Sequence, residues 1–217
     1  MKKDINELIQ NKEYKTAEKI LRKLYVKNEI DYLELHQLAF LNIIKSNNIE
    51  AINFLKKSIE KNPNYPNSYS DLGSLYLKGN HISEAKKCFI KSLDFNKNLF
   101  SSLNNLGIIY KNQREYKLAI KYFLNALRVN PKNYLVVYNL AQLFDALEDY
   151  DKAKEFYLKT LNLNPSYGNA IVAFYNLLLK TFEWRIINKF EPKLKNFGVK
   201  SFQGGEPLTF LYLMVSQ

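Results

Sequence analysis

Five alanines stand 34 residues apart in this chain, at Ala17, Ala51, Ala85, Ala119 and Ala153. A fixed period of this length means that one short supersecondary unit is repeated, each copy burying its apolar face against its neighbours. Other residues keep the same step. With Pro63, Pro131 and Pro165 taken as repeat ends, full repeats run 32–65, 66–99, 100–133 and 134–167. The seventh residue of each is Leu38, Leu72, Leu106 or Leu140, and the eighth is small: Ala39, Gly73, Gly107 or Ala141. The eleventh is aromatic in Tyr76, Tyr110 and Phe144, and the twenty-fourth is Leu55, Phe89, Phe123 or Tyr157.

The pattern has a direct physical reading. Two antiparallel helices approach most closely where neither carries a large side chain, and Gly107 on a first helix with Ala119 on a second fits that contact. Leu106, Tyr110 and Phe123 then fill the surrounding space, at the three- and four-residue spacings of one helical face. Position 27, where a second helix meets the next repeat, is small in Ser58, Ser92, Ala126 and Thr160. Proline at position 32 lacks the donor needed to continue a helix and closes the second one; Lys97 replaces it in one repeat without shifting the register. The predicted fold class is all-α, a right-handed superhelical solenoid of antiparallel helix pairs. The pattern resembles the tetratricopeptide repeat (TPR). The predicted organisation is a repeat array over 1–167, comprising a partial repeat 1–31 and the four full ones. A degenerate last helix pair and junction follow over 168–217.

Cys88 is alone, so no internal disulfide forms and a reducing, cytoplasmic setting is expected. Met1–Gln10 lacks the apolar run of a signal peptide. The apolar stretch Ala170–Leu179 is too short to span a bilayer, so no membrane partner is expected. The net charge of +11 raises a nucleic-acid reading. Two features oppose it. Lysine far outnumbers arginine, and with Asn, Ile and Tyr abundant the composition is that of A/T-rich coding sequence. The basic residues also concentrate on the second helices, at Lys56, Lys57, Lys86, Lys87, Lys91, Lys117, Lys121, Lys152, Lys154 and Lys159. Second helices form the outer surface of such a stack, so these lysines are read as a solvated face.

The first helices, which form the inner surface, differ. Positions 5, 6 and 9 read His36, Gln37, Phe40; Ser70, Asp71, Ser74; Asn104, Asn105, Ile108; and Tyr138, Asn139, Gln142. An amide both donates and accepts, so it pairs with a peptide unit in either sense. A column of amides one repeat apart therefore suits an extended polypeptide held by its backbone. The candidate binding residues are Ser70, Asp71, Asn104, Asn105, Tyr138, Asn139 and Gln142, and the expected partners are extended or disordered segments of other proteins. Solvation of an open groove is the competing reading of the same residues.

No catalytic, cofactor or metal constellation is legible. His36 and His81 lie on different repeats with no cysteine or carboxylate at ligand spacing. Gly204-Gly205 lacks the lysine of a phosphate loop, and Glu148-Asp149 fall in a turn.

After the fourth full repeat the rule lapses. A further first helix begins near Asn169, but its small position holds Tyr175 and the alanine position holds Ile187. Phe182-Glu183-Trp184 follows, then a basic amphipathic stretch to Phe197 and Gly204-Gly205-Glu206-Pro207-Leu208. Over Thr181–Leu213 this resembles the junction of bacterial TPR proteins related to the protein O-linked N-acetylglucosamine transferases (glycosyltransferase family 41, SPINDLY-like). There Cys-Asp-Trp ends the last repeat and a Pro-Phe pair leads into the catalytic region. Trp184 and Pro207 match; Phe182, Glu183 and Leu208 depart. The resemblance implies that Asn105 and Asn139 contact an acceptor polypeptide, while Gln37 and Asp71 depart from that amide column. It also implies that the catalytic region would follow Gln217. Two readings stay open: the acceptor-recognition arm of a protein glycosyltransferase, or a free-standing TPR adaptor with no enzymatic association. An RNA-binding helical repeat is disfavoured by the 34-residue period. A clamp for a chaperone C-terminal carboxylate is disfavoured because Ser70, Asn104 and Tyr138 stand where it needs Lys or Arg.

Overall fold

The computed structural model describes residues 5–183. Trp184, Ile187, Gly204-Gly205 and Leu208, with most of the junction over 181–213, lie outside the described residues. Within them the chain forms eleven helices and no strand, the all-α class expected. The first is α1 (Ile5–Gln10), followed by α2 (Tyr14–Val26), α3 (Tyr32–Ile44), α4 (Asn48–Lys61), α5 (Pro66–Lys78), α6 (Ile82–Phe95) and α7 (Phe100–Asn112). Then come α8 (Tyr116–Val129), α9 (Tyr134–Ala146), α10 (Tyr150–Leu163) and α11 (Gly168–Lys180). The helices fall into two compact units, Met1–Glu115 and Tyr116–Gln217.

In the N-terminal unit, α3 packs on α4 and α5 on α6, with α4 also meeting α5. All five periodic alanines are fully buried. On α6 the buried residues are Ala85, Phe89 and Ser92, one helical face at spacings of four and three. Gly73 on α5 faces that stripe. A Cβ placed there would lie 2.9 Å from Cε1 of Phe89, so glycine is what lets the fully buried ring lie against the backbone. In the C-terminal unit, α9 packs on α10 and α10 on α11 around Ala141, Ala153, Tyr157 and Phe174. Cys88 is half-buried against the N-terminal core, and burial pushes its thiol up to about 11, so it is an unreactive thiol at neutral pH.

Two periodic turn devices join the helices. Within pairs, one residue every 34 positions takes the left-handed conformation: Lys12, Ser46, Asn80, Arg114, Glu148 and Phe182, with φ from 58 to 62°. Each follows a first helix and lets the amide beyond it close onto the helix end, as Asn47 N–H does to the Asn42 carbonyl at 2.9 Å. Between pairs, asparagine recurs at Asn62, Asn96 and Asn164, each in the same extended conformation at a helix end. Its side chain accepts from the amide two residues on, at 3.1 Å for Asn64 and 3.0 Å for Asn98. This Asx turn keeps the α6 end in register although Lys97 stands where proline is usual. The α2–α3 turn instead has Asn28 in the left-handed region and a capping box between Asp31 and Glu34.

One ionic cluster links three helices. The Glu18 carboxylate on α2 accepts from Lys45 at the end of α3 and from Arg22, whose guanidinium also donates to Glu50 on α4 at 3.0 Å. The Lys45 hydrogen bond, reinforced by Arg22, holds the Glu18 carboxyl below its ordinary range. A depressed folded-state pKa contributes stability above the unfolded-state pKa, and that contribution is lost as pH falls through the folded value. Glu18→Gln should therefore lower Tm at pH 7 by about 2–4 °C, for roughly 1 kcal/mol. The two melting curves should converge once pH drops well below the carboxylate range. A difference that persists undiminished in acid would remove the ion cluster as its cause.

Candidate functional site

The seven candidate residues lie on first helices of both units. In the N-terminal unit the face is built from α3, α5 and α7. It is knitted by bonds between neighbouring first helices, which position-by-position reading did not foresee. His36 Nε2 and Asp71 Oδ2 are 2.8 Å apart across 35 residues of sequence. Asn105 Nδ2 donates to Ser74 Oγ at 3.4 Å.

Ser70 corrects the expectation of a groove contact. It is only 2% exposed. Its hydroxyl lies 2.7 Å from that of Ser101 and accepts from Ser102 at 3.0 Å, while Ser92 donates to Ser102 at 2.6 Å. The serine belongs to a hydroxyl cluster in the seam between α5, α6 and α7, where it satisfies buried polar groups instead of meeting a ligand. Gln37 is also buried, with Nε2 donating to Asn6 of α1 at 2.6 Å. Of the position-6 side chains in this unit, Asp71 and Asn105 remain partly exposed. Asn104 is partly exposed one position earlier on α7, with Ile108 on the same side of the helix.

The His36–Asp71 pair rests on aromatic packing. The imidazole meets the Tyr65 ring edge-on with centroids 5.3 Å apart, and Tyr65 packs on Tyr32 at 5.1 Å. Asn67 donates to the Tyr65 hydroxyl at 3.2 Å. The C-terminal unit repeats this arrangement. Tyr167 takes Tyr134 and Tyr138 edge-on, both at 5.1 Å, and Asn169 donates to its hydroxyl at 3.4 Å. Tyr138 is thereby half-buried between Tyr157 and Tyr167, and its hydroxyl accepts from Gln142 at 3.1 Å. Burial raises the Tyr138 and Tyr65 phenols, so neither is an acid or base near neutral pH. Asn139 sits beside Tyr138 on α9, also half-buried. The signal for these trios was in the sequence, as aromatic or histidine residues at positions 1, 5 and 34 of two repeats, but the 34-residue average hides a feature that only two repeats share.

The second-helix lysines behave as an outer coat. Lys86 lies 4.7 Å above the Tyr110 ring, Lys91 5.0 Å above Phe95 and Lys152 5.3 Å above Phe144. In each the ammonium itself stands over the ring face, a cation–π contact made on the helix surface. Among the described residues no group of three His, Cys, Asp or Glu side chains could hold a metal ion, and no helix is long and apolar enough to cross a membrane.

Comparisons with known proteins agree with this architecture. Tetratricopeptide-repeat models match residues 54–87, 100–133 and 136–167. No curated protein matches in sequence. Among solved structures, YrrB, described as a TPR protein with an unusual peptide-binding site, superposes with a TM-score of 0.72 at 16% identity, over 90% of this chain and 97% of that one. MamA (41-end) from Desulfovibrio magneticus RS-1 gives 0.69 at 18% identity, over 76% and 93%. PilF of Pseudomonas aeruginosa gives 0.68 at 22% identity, over 84% and 80%. With its 34-residue period and paired helices, the chain carries tetratricopeptide repeats over these three matched segments.

Proposed function

We propose that the first-helix faces bind extended segments of other proteins, so that the chain works as an interaction module. The observation that carries this reading is chemical. The partly exposed first-helix side chains Asn104, Asn105, Asn139 and Gln142 are neutral hydrogen-bonding groups, with apolar Ile108 one turn beyond Asn104 on α7, while the lysines concentrate on the second helices. Neutral amides match a peptide backbone and give little to a phosphate chain, whose affinity comes from cations. YrrB, of the same fold, is described with a peptide-binding site, which agrees.

The test is a titration of unstructured peptide pools and a single-stranded RNA against wild type, Asn105→Ala, Asn139→Ala and the pair Lys117→Ala with Lys121→Ala. One hydrogen bond is worth about 0.5–1.5 kcal/mol net. Each asparagine change should therefore weaken peptide binding by about two- to twelvefold, with melting temperature nearly unchanged. The lysine pair should leave peptide affinity alone. Peptide binding indifferent to both asparagines would reject the mechanism. RNA binding that falls steeply with salt and disappears with the lysines would replace it.

The free-standing adaptor reading needs nothing beyond these faces. The resemblance at Thr181–Leu213, carried by Trp184 and Pro207, favours a narrower one in which the bound segments are acceptors of a protein O-glycosyltransferase. Reading the open frame beyond Gln217 separates the two: paired Rossmann-like βα patterns support the transferase arm, and an immediate stop supports the adaptor.

A further inference from the structure

We infer that Asp71 sets the specificity of the N-terminal unit's face by taking a lysine or arginine side chain from the bound segment; this rests on the peptide-binding reading above. The chain holds 32 Lys and Arg against 21 Asp and Glu, and several partly covered carboxylates have found cations. Glu18 has Lys45 and Arg22, Asp145 has Lys180, and Glu183 has Lys154. Asp71 has neither lysine nor arginine within ion-pair distance among the described residues, although its side chain is only 38% exposed. Among the described residues its hydrogen-bond partner is the His36 imidazole, on Oδ2, and Oδ1 carries none.

That partner holds the carboxylate still. The His36 side chain is 16% exposed and wedged against Tyr65, which is itself fixed by Tyr32 and Asn67. A carboxylate whose rotamer is already set loses little entropy on binding, so more of the interaction appears as affinity. The flanking groups on this face, Ser74, Asn104, Asn105 and Ile108, carry no charge, so no resident cation competes for Oδ1. The same negative charge disfavours a phosphate chain here.

The experiment uses the full chain and four pools of unstructured twelve-residue peptides. A central residue is Lys, Arg, Gln or Glu, and the flanks are randomised neutral residues. A hydrogen-bonded ion pair on a fixed carboxylate should make the Lys and Arg pools bind about tenfold tighter than the Gln pool. Asp71→Asn, nearly isosteric, should abolish that preference while retaining Gln-pool binding. Asp71→Lys should move the preference to Glu. Asn105→Ala should weaken all four pools alike. Equal binding of the Lys and Gln pools by wild type, or a lysine preference that survives Asp71→Asn, overturns the assignment while leaving the peptide-binding reading intact. Failure of every pool to bind overturns both.

Discussion

Phe89→Ala should cost the protein about 3–5 kcal/mol of folding stability, the range for a buried aromatic truncated in a close-packed core. Phe89 is fully buried on α6, at the position that other repeats fill with Leu55 and Tyr157. The loss should sit high in its range because the residue opposite is Gly73, which has no side chain able to move into the cavity. Small domains are stable by roughly 5–15 kcal/mol, so this one change removes a large share. Urea denaturation should show a much lower midpoint with an unchanged slope. In a repeat array each unit leans on its neighbours, so amide exchange should locate the loss in α5 and α6 first. A cost below about 1.5 kcal/mol, well short of that range, would mean that the helices close over the gap and that Phe89 does not hold them apart.

The period made the helices and their buried faces legible because packing acts on every repeat alike. Ala17, Ala51, Ala85, Ala119 and Ala153 keep their step since a larger residue at any of them would push a helix pair apart. The left-handed turn positions were invisible for the opposite reason. Lys12, Ser46, Asn80, Arg114, Glu148 and Phe182 share a backbone conformation that usually selects glycine, yet none is glycine. The helix pairs set that turn and the side chain merely accepts it. The candidate site was legible in part. Helical spacing places Asn104, Asn105, Tyr138, Asn139 and Gln142 on first-helix faces, but it does not say how deep a short side chain sits. Ser70 shares the helical spacing of its neighbours, but Ser101 and Ser102 of the next first helix close over it. His36 and Asp71 are 35 residues apart, one step longer than the period, so their bond exists only through stacking of successive repeats.

Gly73→Leu should destabilise the same pair from the other side. Leucine is the better helix former by about 0.8–1 kcal/mol in a helix interior such as that of α5. Overpacking opposes it at about 1–3 kcal/mol, occasionally more. Overpacking should win here. The first added carbon already lies 2.9 Å from the Phe89 ring, and the ring is fully buried with no open side to turn toward. Alanine is a different case. Ala39 and Ala141 occupy the equivalent position within the two cores, and at Gly73 the single added Cβ must displace the Phe89 ring from 2.9 Å, a cost set against the helix propensity that alanine gains. Gly73→Ala should thus be close to neutral. The decisive measurement is the cycle formed with Phe89→Ala, since the leucine side chain then has the vacated ring space to enter. The double variant should be less destabilised than the sum of the two singles by about 1–3 kcal/mol, a coupling expected of residues in contact. Strict additivity would show that Gly73 is required by something other than the ring that lies on it.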